Sequence, residues 1–323
     1  MSSDILLSNE VLIYLLSEAI LFAVAAIAAA SAVPIVLRWD FSSFSPRQFA
    51  LEKRAYLLIS VIGFAFSVKF LLLPYFAYGI DRLALLIPGA MCAAGVIGAN
   101  DFGYPLLAVK VAVAFLTGSW LIVSRLDLRA EDYPYLRGNT LLFLLIFALM
   151  GGELLLDWLY FSNLTTVKAV SCCSVSFGQQ GGSNPLPFGL DTAKLLLLFG
   201  LIYLLAVLSA LGRYAATAFV SNLLFLPTGY YALVYFFGTY VYELPTHKCP
   251  FCMLQGEYHY VGYLFWGALL AGSFFGMNAP VIGRLTGADS GGLYRLSLAF
   301  NTLFVVLCAA YVARYYVMNG VFL

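Results

Sequence analysis

The residues best suited to chemistry lie close together in the segment 247–255, which reads HKCPFCMLQ. The two-residue spacing between Cys249 and Cys252 allows their sulfurs to bond to each other or to bind one metal ion. We expect this pair at the N-terminus of a helix, where the helix dipole and Lys248 favour thiolate over thiol. Three roles stay open for the pair: redox chemistry, metal binding, and a structural disulfide that pins a loop.

A second pair, Cys172–Cys173, lies in the polar stretch 162–190. Adjacent cysteines form a disulfide only in a strained ring, so such a pair is uncommon as a static brace. It suits exchange with a third cysteine, or capture of a soft metal ion. The alternative is that these are two unrelated small residues.

Cys92 lies in a glycine-rich segment, 88–101. Small residues allow a re-entrant segment to approach other backbones, and this is expected to bring Cys92 to the cysteine loops as a further thiol. The alternative is a buried cysteine that acts only as a small apolar side chain.

Both histidines of the chain lie near the Cys-x-x-Cys segment, which makes a metal site a rival hypothesis. His247, Cys249, Cys252 and His259 fall within 13 positions. Thiolate and neutral imidazole ligands suit Zn or Cu(I). The vicinal cysteines in the stretch 162–190 could complete a thiolate-rich cluster.

The elements that position these residues must be membrane helices. Of the 323 residues, 63% are hydrophobic and 10% are charged, and the mean hydropathy is +0.92. A soluble domain carries about 25% charged residues, so a soluble fold, a disordered chain and a nucleic-acid partner are excluded. We predict an all-α polytopic helix bundle in the lipid bilayer, one integral membrane domain over 1–323.

Nine apolar runs are read as helices, and about eight of them are expected to span. The runs are 11–38, 55–80, 83–99, 105–124, 138–161, 191–212, 217–242, 259–278 and 295–318. The run 83–99 is short and rich in small residues. It is therefore predicted to be a re-entrant or interfacial helix on the outer side.

Orientation follows from the Lys and Arg residues in short loops. Ten of the 17 basic residues fall in four connections that are predicted to be cytoplasmic, which places both termini outside. Every cysteine except Cys308 then lies on the outer side of a cell (inner) membrane, a face that is oxidising in bacteria.

Among the ionisable residues of the apolar runs, we single out six that lie in the predicted outer halves of their helices. They are Glu18, Lys69, Lys110, Glu153, Asp157 and Lys194. Such residues are costly in lipid, so they are expected to pair with one another or to face water. One interpretation is structural ion pairs with snorkelling side chains. The other is a polar cavity with a proton route through Glu153, Asp157 and Lys110.

The segment CPFCMLQ resembles the Cys-x-x-Cys-x-x-Gln segment of the DsbB family of membrane thiol oxidoreductases, and the related vitamin K epoxide reductase type. The resemblance covers about ten residues. It implies that Cys249 and Cys252 are a redox pair beside a membrane quinone. It also implies, by location alone, that Cys172 and Cys173 exchange disulfides with an extracytoplasmic thiol protein.

Three functional hypotheses follow. The first is a membrane thiol–disulfide oxidoreductase that exchanges electrons between these cysteine pairs and a quinone. The second is a soft-metal binding or transport protein for Zn or Cu. The third is a membrane-anchor subunit of a larger complex that contains other membrane subunits.

Overall fold

The computed structural model describes residues 3–40, 45–130, 133–167, 169–170, 186, 189–287 and 289–323. Over these residues the chain is helical and contains no strand. Eight of the described helices are long and apolar enough to cross a membrane. The prediction of an all-α bundle with about eight spans is therefore confirmed, and the chain is a multi-pass membrane protein by the length and composition of its helices.

The first of two compact units covers Met1–Pro88 and Val96–Val170. Its spanning helices are α1 (Asn9–Arg38), α2 (Pro46–Leu83), α3 (Gly103–Asp127) and α4 (Leu136–Ser162). Each of these helices packs against the next, and α4 packs against α1, so the four form a closed ring. The interior of this ring receives one face of every helix.

The second unit covers Gly89–Gly95 and Ser171–Leu323. Its spanning helices are α5 (Thr192–Gly212), α6 (Ala215–Tyr242), α7 (Val261–Thr286) and α8 (Gly291–Asn319). They pack in the same cyclic order, with α8 against α5. Helix α6 contains one π-helical turn, Leu233–Phe237. That the chain forms a single membrane domain stays a prediction.

The helices extend beyond several of the apolar runs. Helix α2 begins at Pro46 rather than at residue 55, because proline suits the first helical position and the Ser45 side chain accepts a hydrogen bond from the Gln48 amide. Helix α7 continues to Thr286 rather than ending at 278. Hydropathy marks the part of a helix that lies in hydrocarbon, and the helix itself continues into polar surroundings.

The run 83–99 contains no spanning helix. Its described helix, Ala93–Ile97, has five residues, and turns precede it. Five residues rise about 8 Å, far less than the roughly 30 Å of hydrocarbon. The expectation that this run does not cross is thus confirmed, while its placement on the outer side stays a prediction.

A leucine-rich face of α5 is open to the surroundings. Leu197, Leu201, Leu204, Leu208 and Leu211 are each more than half exposed. An apolar face of this extent is unfavourable in water and favourable against lipid tails. The exposed leucines of α5 thus agree with the lipid surroundings that the hydrophobic composition predicts.

The interior of the second unit contains a polar layer where α6, α7 and α8 approach closely. Asn301 Nδ2 donates to Asn222 Oδ1 at 2.8 Å, and the Ser297 hydroxyl donates to the Gly272 carbonyl at 2.9 Å. A Cβ on Gly272 would lie 2.1 Å from Asn301 Oδ1, and one on Gly276 would lie 2.1 Å from Asn222 Cγ. The two glycines therefore allow the asparagines to pack against α7.

Candidate functional sites: three sulfurs and a buried charge cluster

Three cysteines meet in the second unit. The Sγ atoms of Cys92 and Cys249 lie 3.5 Å apart, and those of Cys92, Cys249 and Cys252 all lie within 4.8 Å of one another. We call these three residues the three-sulfur cluster. All three side chains are buried, with 5% exposure at most. The 3.5 Å between the Cys92 and Cys249 sulfurs is too long for a disulfide bond, which needs about 2.05 Å.

The local structure differs from the expectation in one respect. Cys252 begins a three-residue 3₁₀ helix, Cys252–Leu254, and α7 begins only at Val261. The pair is predicted at the N-terminus of a helix, and the helix that directly follows it is this single 3₁₀ turn rather than a spanning helix. The chain makes a second 3₁₀ turn and two left-handed residues, His259 and Tyr260, before α7 starts. A helix of one turn has little dipole, so it cannot supply the thiolate stabilisation that the sequence suggested.

Residues 249–254 form a segment that we call the cysteine turn. Tyr242, the last residue of α6, holds this turn by hydrogen bonds from its side chain to the backbone of the turn. Its hydroxyl donates to the Cys249 carbonyl and accepts from the Met253 amide at 3.2 Å. Its ring is packed edge-on by His247 and Tyr258, with centroids 4.4 and 4.9 Å away. One buried side chain therefore ties both ends of the segment that contains the two cysteines.

Helix α7 fixes the same turn from a second side. Trp266 Nε1 donates to the Pro250 carbonyl at 3.0 Å. A Cβ on Gly262 would lie 2.6 Å from Met253 Cγ and 2.8 Å from the Met253 backbone, so only glycine permits this contact. The turn is thus pressed against the first turn of α7.

The Cys92 segment is tied to the cysteine turn by Gln255, whose Nε2 donates to the Met91 carbonyl at 3.1 Å. The expectation that small residues bring Cys92 to the Cys-x-x-Cys loop is confirmed for the described residues. Cys308 is buried in the same apolar core but is not part of the three-sulfur cluster. Cys172 and Cys173 lie outside the described residues.

The histidines are not brought to the sulfurs. Among the described residues, the group whose ligand atoms converge within 4.8 Å near this turn consists of the three cysteines alone. His247 packs against Tyr242, and His259 is exposed at the end of a 3₁₀ turn. The Lys248 ammonium lies 5.0 Å from the centre of the Tyr235 ring, a cation–π contact. Of the four residues proposed as metal ligands, Cys249 and Cys252 thus lie together, and the third residue beside them is Cys92 rather than a histidine.

The first unit contains a buried charge cluster made of one or more residues from each of its four helices. Its members are Glu18, Lys69, Lys110, Glu153 and Asp157. The Lys69 ammonium is 2.5 Å from Glu18 Oε2 and 2.9 Å from Glu153 Oε1. The Lys110 ammonium is 2.9 Å from Glu153 Oε1 and 2.9 Å from Asp157 Oδ2.

The expected pairing of charges inside the spans is thus confirmed for five of the six residues. Lys194 is the exception: it lies exposed in the first turn of α5. Every member of the buried charge cluster is less than a tenth exposed. The closeness of the opposite charges compensates in part for removing them from water.

Tyr14 also joins the carboxylates of this cluster, a contact that is not predicted from the sequence. Its hydroxyl is 3.0 Å from Glu18 Oε1 and 3.2 Å from Asp157 Oδ2, and it accepts a hydrogen bond from Lys110. The four-residue spacing from Tyr14 to Glu18 on α1 is the only sequence signal for this contact. Tyr242 and Trp266 were missed as well, because aromatic residues near span ends are typical of an interfacial belt.

The fold and these two sites define the class of a polytopic helical membrane protein. Comparison with protein-family models, with curated proteins and with solved structures finds no match to the chain.

Proposed function

We propose that the protein is a membrane thiol–disulfide oxidoreductase whose redox centre is the three-sulfur cluster. The observation that carries the proposal is the 3.5 Å separation of the Cys92 and Cys249 sulfurs, with Cys252 in the same group. A disulfide needs these sulfurs to approach by about 1.5 Å. Small rotations of two cysteine side chains can supply that movement.

In this scheme Cys249 can form a disulfide with either Cys92 or Cys252. Oxidation of two thiols to a disulfide releases two electrons and two protons, which together reduce one quinone to a quinol. A Cys252 thiolate can then attack Cys249 Sγ of a Cys92–Cys249 disulfide, forming the Cys249–Cys252 bond and releasing the Cys92 thiolate. The disulfide moves by one step without a change in oxidation state.

The burial of the cluster limits what can react with it. No member is more than 5% exposed, so a folded protein partner has no direct route to these sulfurs. A small apolar electron acceptor from the bilayer suits such a buried cluster better than a protein does. The resemblance of CPFCMLQ to the DsbB segment favours a quinone as this acceptor. Cys172 and Cys173 keep their proposed role as the pair that exchanges disulfides with an extracytoplasmic thiol protein.

The proposal is tested by mapping disulfides in the full-length protein, purified in detergent, reduced, and then exposed to a soluble short-chain quinone. Peptide mass spectrometry under non-reducing conditions should find Cys249 linked to Cys252 and to Cys92. The Cys252→Ser variant should accumulate the Cys92–Cys249 link, and Cys308→Ser should behave as wild type. Thiols that stay reduced with quinone, or the same linkage under every redox condition, overturn the proposal.

A soft-metal site is the second candidate, because the same observation favours it. Metal–sulfur bonds of about 2.3 Å allow two sulfurs on one ion to lie up to roughly 4.6 Å apart. The separations in the three-sulfur cluster fall close to this range. Three buried thiolates suit Cu(I) or Zn. Reduced protein purified without chelator should then contain one ion per chain, lost in Cys92→Ser; protein without metal excludes this candidate.

A further inference from the structure

The buried charge cluster of the first unit contains more acidic than basic side chains. Glu18, Glu153 and Asp157 can carry three negative charges, and Lys69 and Lys110 supply two positive ones. An uncompensated charge inside a helix bundle in lipid is costly. One additional positive charge, a proton or a small cation, therefore makes the cluster neutral.

The positions around the carboxylates favour a proton over a metal ion. The oxygens of the three carboxylates lie close enough together to ligate one ion. However, the two ammonium groups already lie within 2.9 Å of these oxygens, where a cation would be placed. A metal ion would meet two positive charges there, whereas a proton needs only an oxygen lone pair.

Asp157 is the carboxylate best placed to hold this proton. Its side chain is fully buried, and Oδ1 has no hydrogen-bond partner among the described residues. Among the described residues, its cationic partner is Lys110 alone, whereas Glu153 contacts both Lys69 and Lys110. Glu18 uses both oxygens, one toward Tyr14 and one toward Lys69. Asp157 thus combines a single cationic partner, as at Glu18, with an oxygen that has no described hydrogen-bond partner, as at Glu153.

The titratable groups around Asp157 come from all four helices of the unit. Tyr14 and Glu18 on α1, Lys110 on α3, and Glu153 and Tyr160 on α4 act on it directly, and Lys69 on α2 joins the cluster through Glu18 and Glu153. Tyr160 donates its hydroxyl to the Val96 carbonyl at 2.8 Å, which leaves Tyr14 as the hydroxyl in contact with Asp157.

Two small cavities adjoin Tyr14. One is also lined by Glu18, Lys69, Lys110 and Glu153, and the other by Glu10, Tyr75 and Phe76. Each has a volume of about 10 Å³, close to what one water molecule needs. Glu10 is half-buried in the first turn of α1. The second cavity therefore lies between Tyr14 and the N-terminal end of that helix.

We infer that Asp157 is a reversible proton-binding site, loaded from the Glu10 end of α1 through Tyr14. The step is simple proton transfer: the Asp157 carboxylate gains a proton and becomes a carboxylic acid, and Tyr14 passes a proton on as it receives one. The site needs no oxidant, and it stands whether or not the three-sulfur cluster is redox-active.

Infrared difference spectroscopy of the full-length protein tests the inference, because a buried protonated carboxyl group has a carbonyl stretch separate from ionised carboxylates. Wild type should show a carboxylic-acid band that disappears as the pH rises. Asp157→Asn should lose this band, and the exposed Asp101→Asn should keep it. Tyr14→Phe and Glu10→Gln should keep the band but slow its exchange in heavy water at least severalfold.

Several results overturn the inference. A wild-type protein without such a band at any pH has a static ion network. A band that survives in Asp157→Asn and is lost in Glu153→Gln assigns the proton to another residue. A band abolished by Na⁺ at constant pH identifies a cation site. If Asp157→Asn does not fold, the wild-type titration and the exchange rate of Tyr14→Phe still decide between these outcomes.

Discussion

The sulfurs of Cys92 and Cys249 lie 3.5 Å apart, although 157 positions separate the two residues in the chain. Cys249 therefore has a sulfur neighbour nearly in contact that is not the other cysteine of its own motif. This relationship changes the candidate site from a pair of thiols to a group of three. It also makes Cys92 the residue whose removal is most informative.

Removal of Cys92 should slow redox chemistry while the Cys-x-x-Cys pair stays intact. In Cys92→Ser we expect reoxidation of the reduced protein by quinone to fall on the order of tenfold, because a positioned neighbouring thiol acts at high effective concentration. Stopped-flow measurement of quinone absorbance reports the rate. Cys308→Ser is the matched control, and equal rates in both variants would mean that Cys92 has no part in the reaction.

Loss of the Tyr242 hydroxyl should loosen the cysteine turn. Tyr242→Phe leaves the Cys249 carbonyl and the Met253 amide without this partner, at a cost of about 1–3 kcal/mol in unfolding free energy. We expect a lower thermal midpoint and faster maleimide labelling of Cys249 and Cys252. The exposed Tyr316→Phe should change neither quantity. Unchanged labelling in Tyr242→Phe would show that the turn is held by other contacts.

Two glycines on α7 offer a matched comparison. Gly262→Ala places a methyl group against the Met253 backbone, whereas Gly267→Ala meets no atom within 4 Å. Overpacking should cost about 1–3 kcal/mol at the first site, while the second should be neutral or slightly stabilising because alanine is the better helix former. Thermal unfolding and thiol labelling together report both effects. A neutral Gly262→Ala would indicate that the turn moves away freely.

The buried lysines should matter far more than the exposed one. Lys69→Met and Lys110→Met each remove one of the two positive charges that compensate three buried carboxylates, and loss of one partner from a buried ion pair typically costs about 3–5 kcal/mol. Lys194→Met removes an exposed charge and should change stability little. Unfolding in a titration with denaturing detergent compares the three. Similar midpoints for Lys69→Met and Lys194→Met would argue that the cluster carries no net electrostatic stabilisation.

Much of the fold could be predicted because lipid imposes a simple condition on sequence. Each span must satisfy its backbone within one helix, so apolar runs of sufficient length identify the eight helices directly. The ends were less accurate, as at Pro46 and Thr286, because a helix can continue past the hydrocarbon. The short run 83–99 was recognised as non-spanning by its length and by the balance of basic residues on either side.

The sites were predictable as residue types but not as partnerships. Cys249 and Cys252 were recognisable from their spacing, and Glu18, Lys69, Lys110, Glu153 and Asp157 from their cost in a membrane. Which of them meet depends on how helices from distant parts of the chain rotate and pack. The contacts of Tyr14 and Tyr242 belong to this class, since an aromatic residue near a span end has the same sequence signature with or without a polar partner.

The sequence by itself determined the solvent of this protein, its helical class and the residues capable of chemistry, because composition and periodicity act locally along the chain. Only the tertiary structure decided that Cys92 rather than a histidine joins Cys249 and Cys252, and that Tyr14 joins two carboxylates. Those choices arise from side-chain packing between helices. The free energies that select one packing over another come from contacts far apart in the chain, which no local pattern contains.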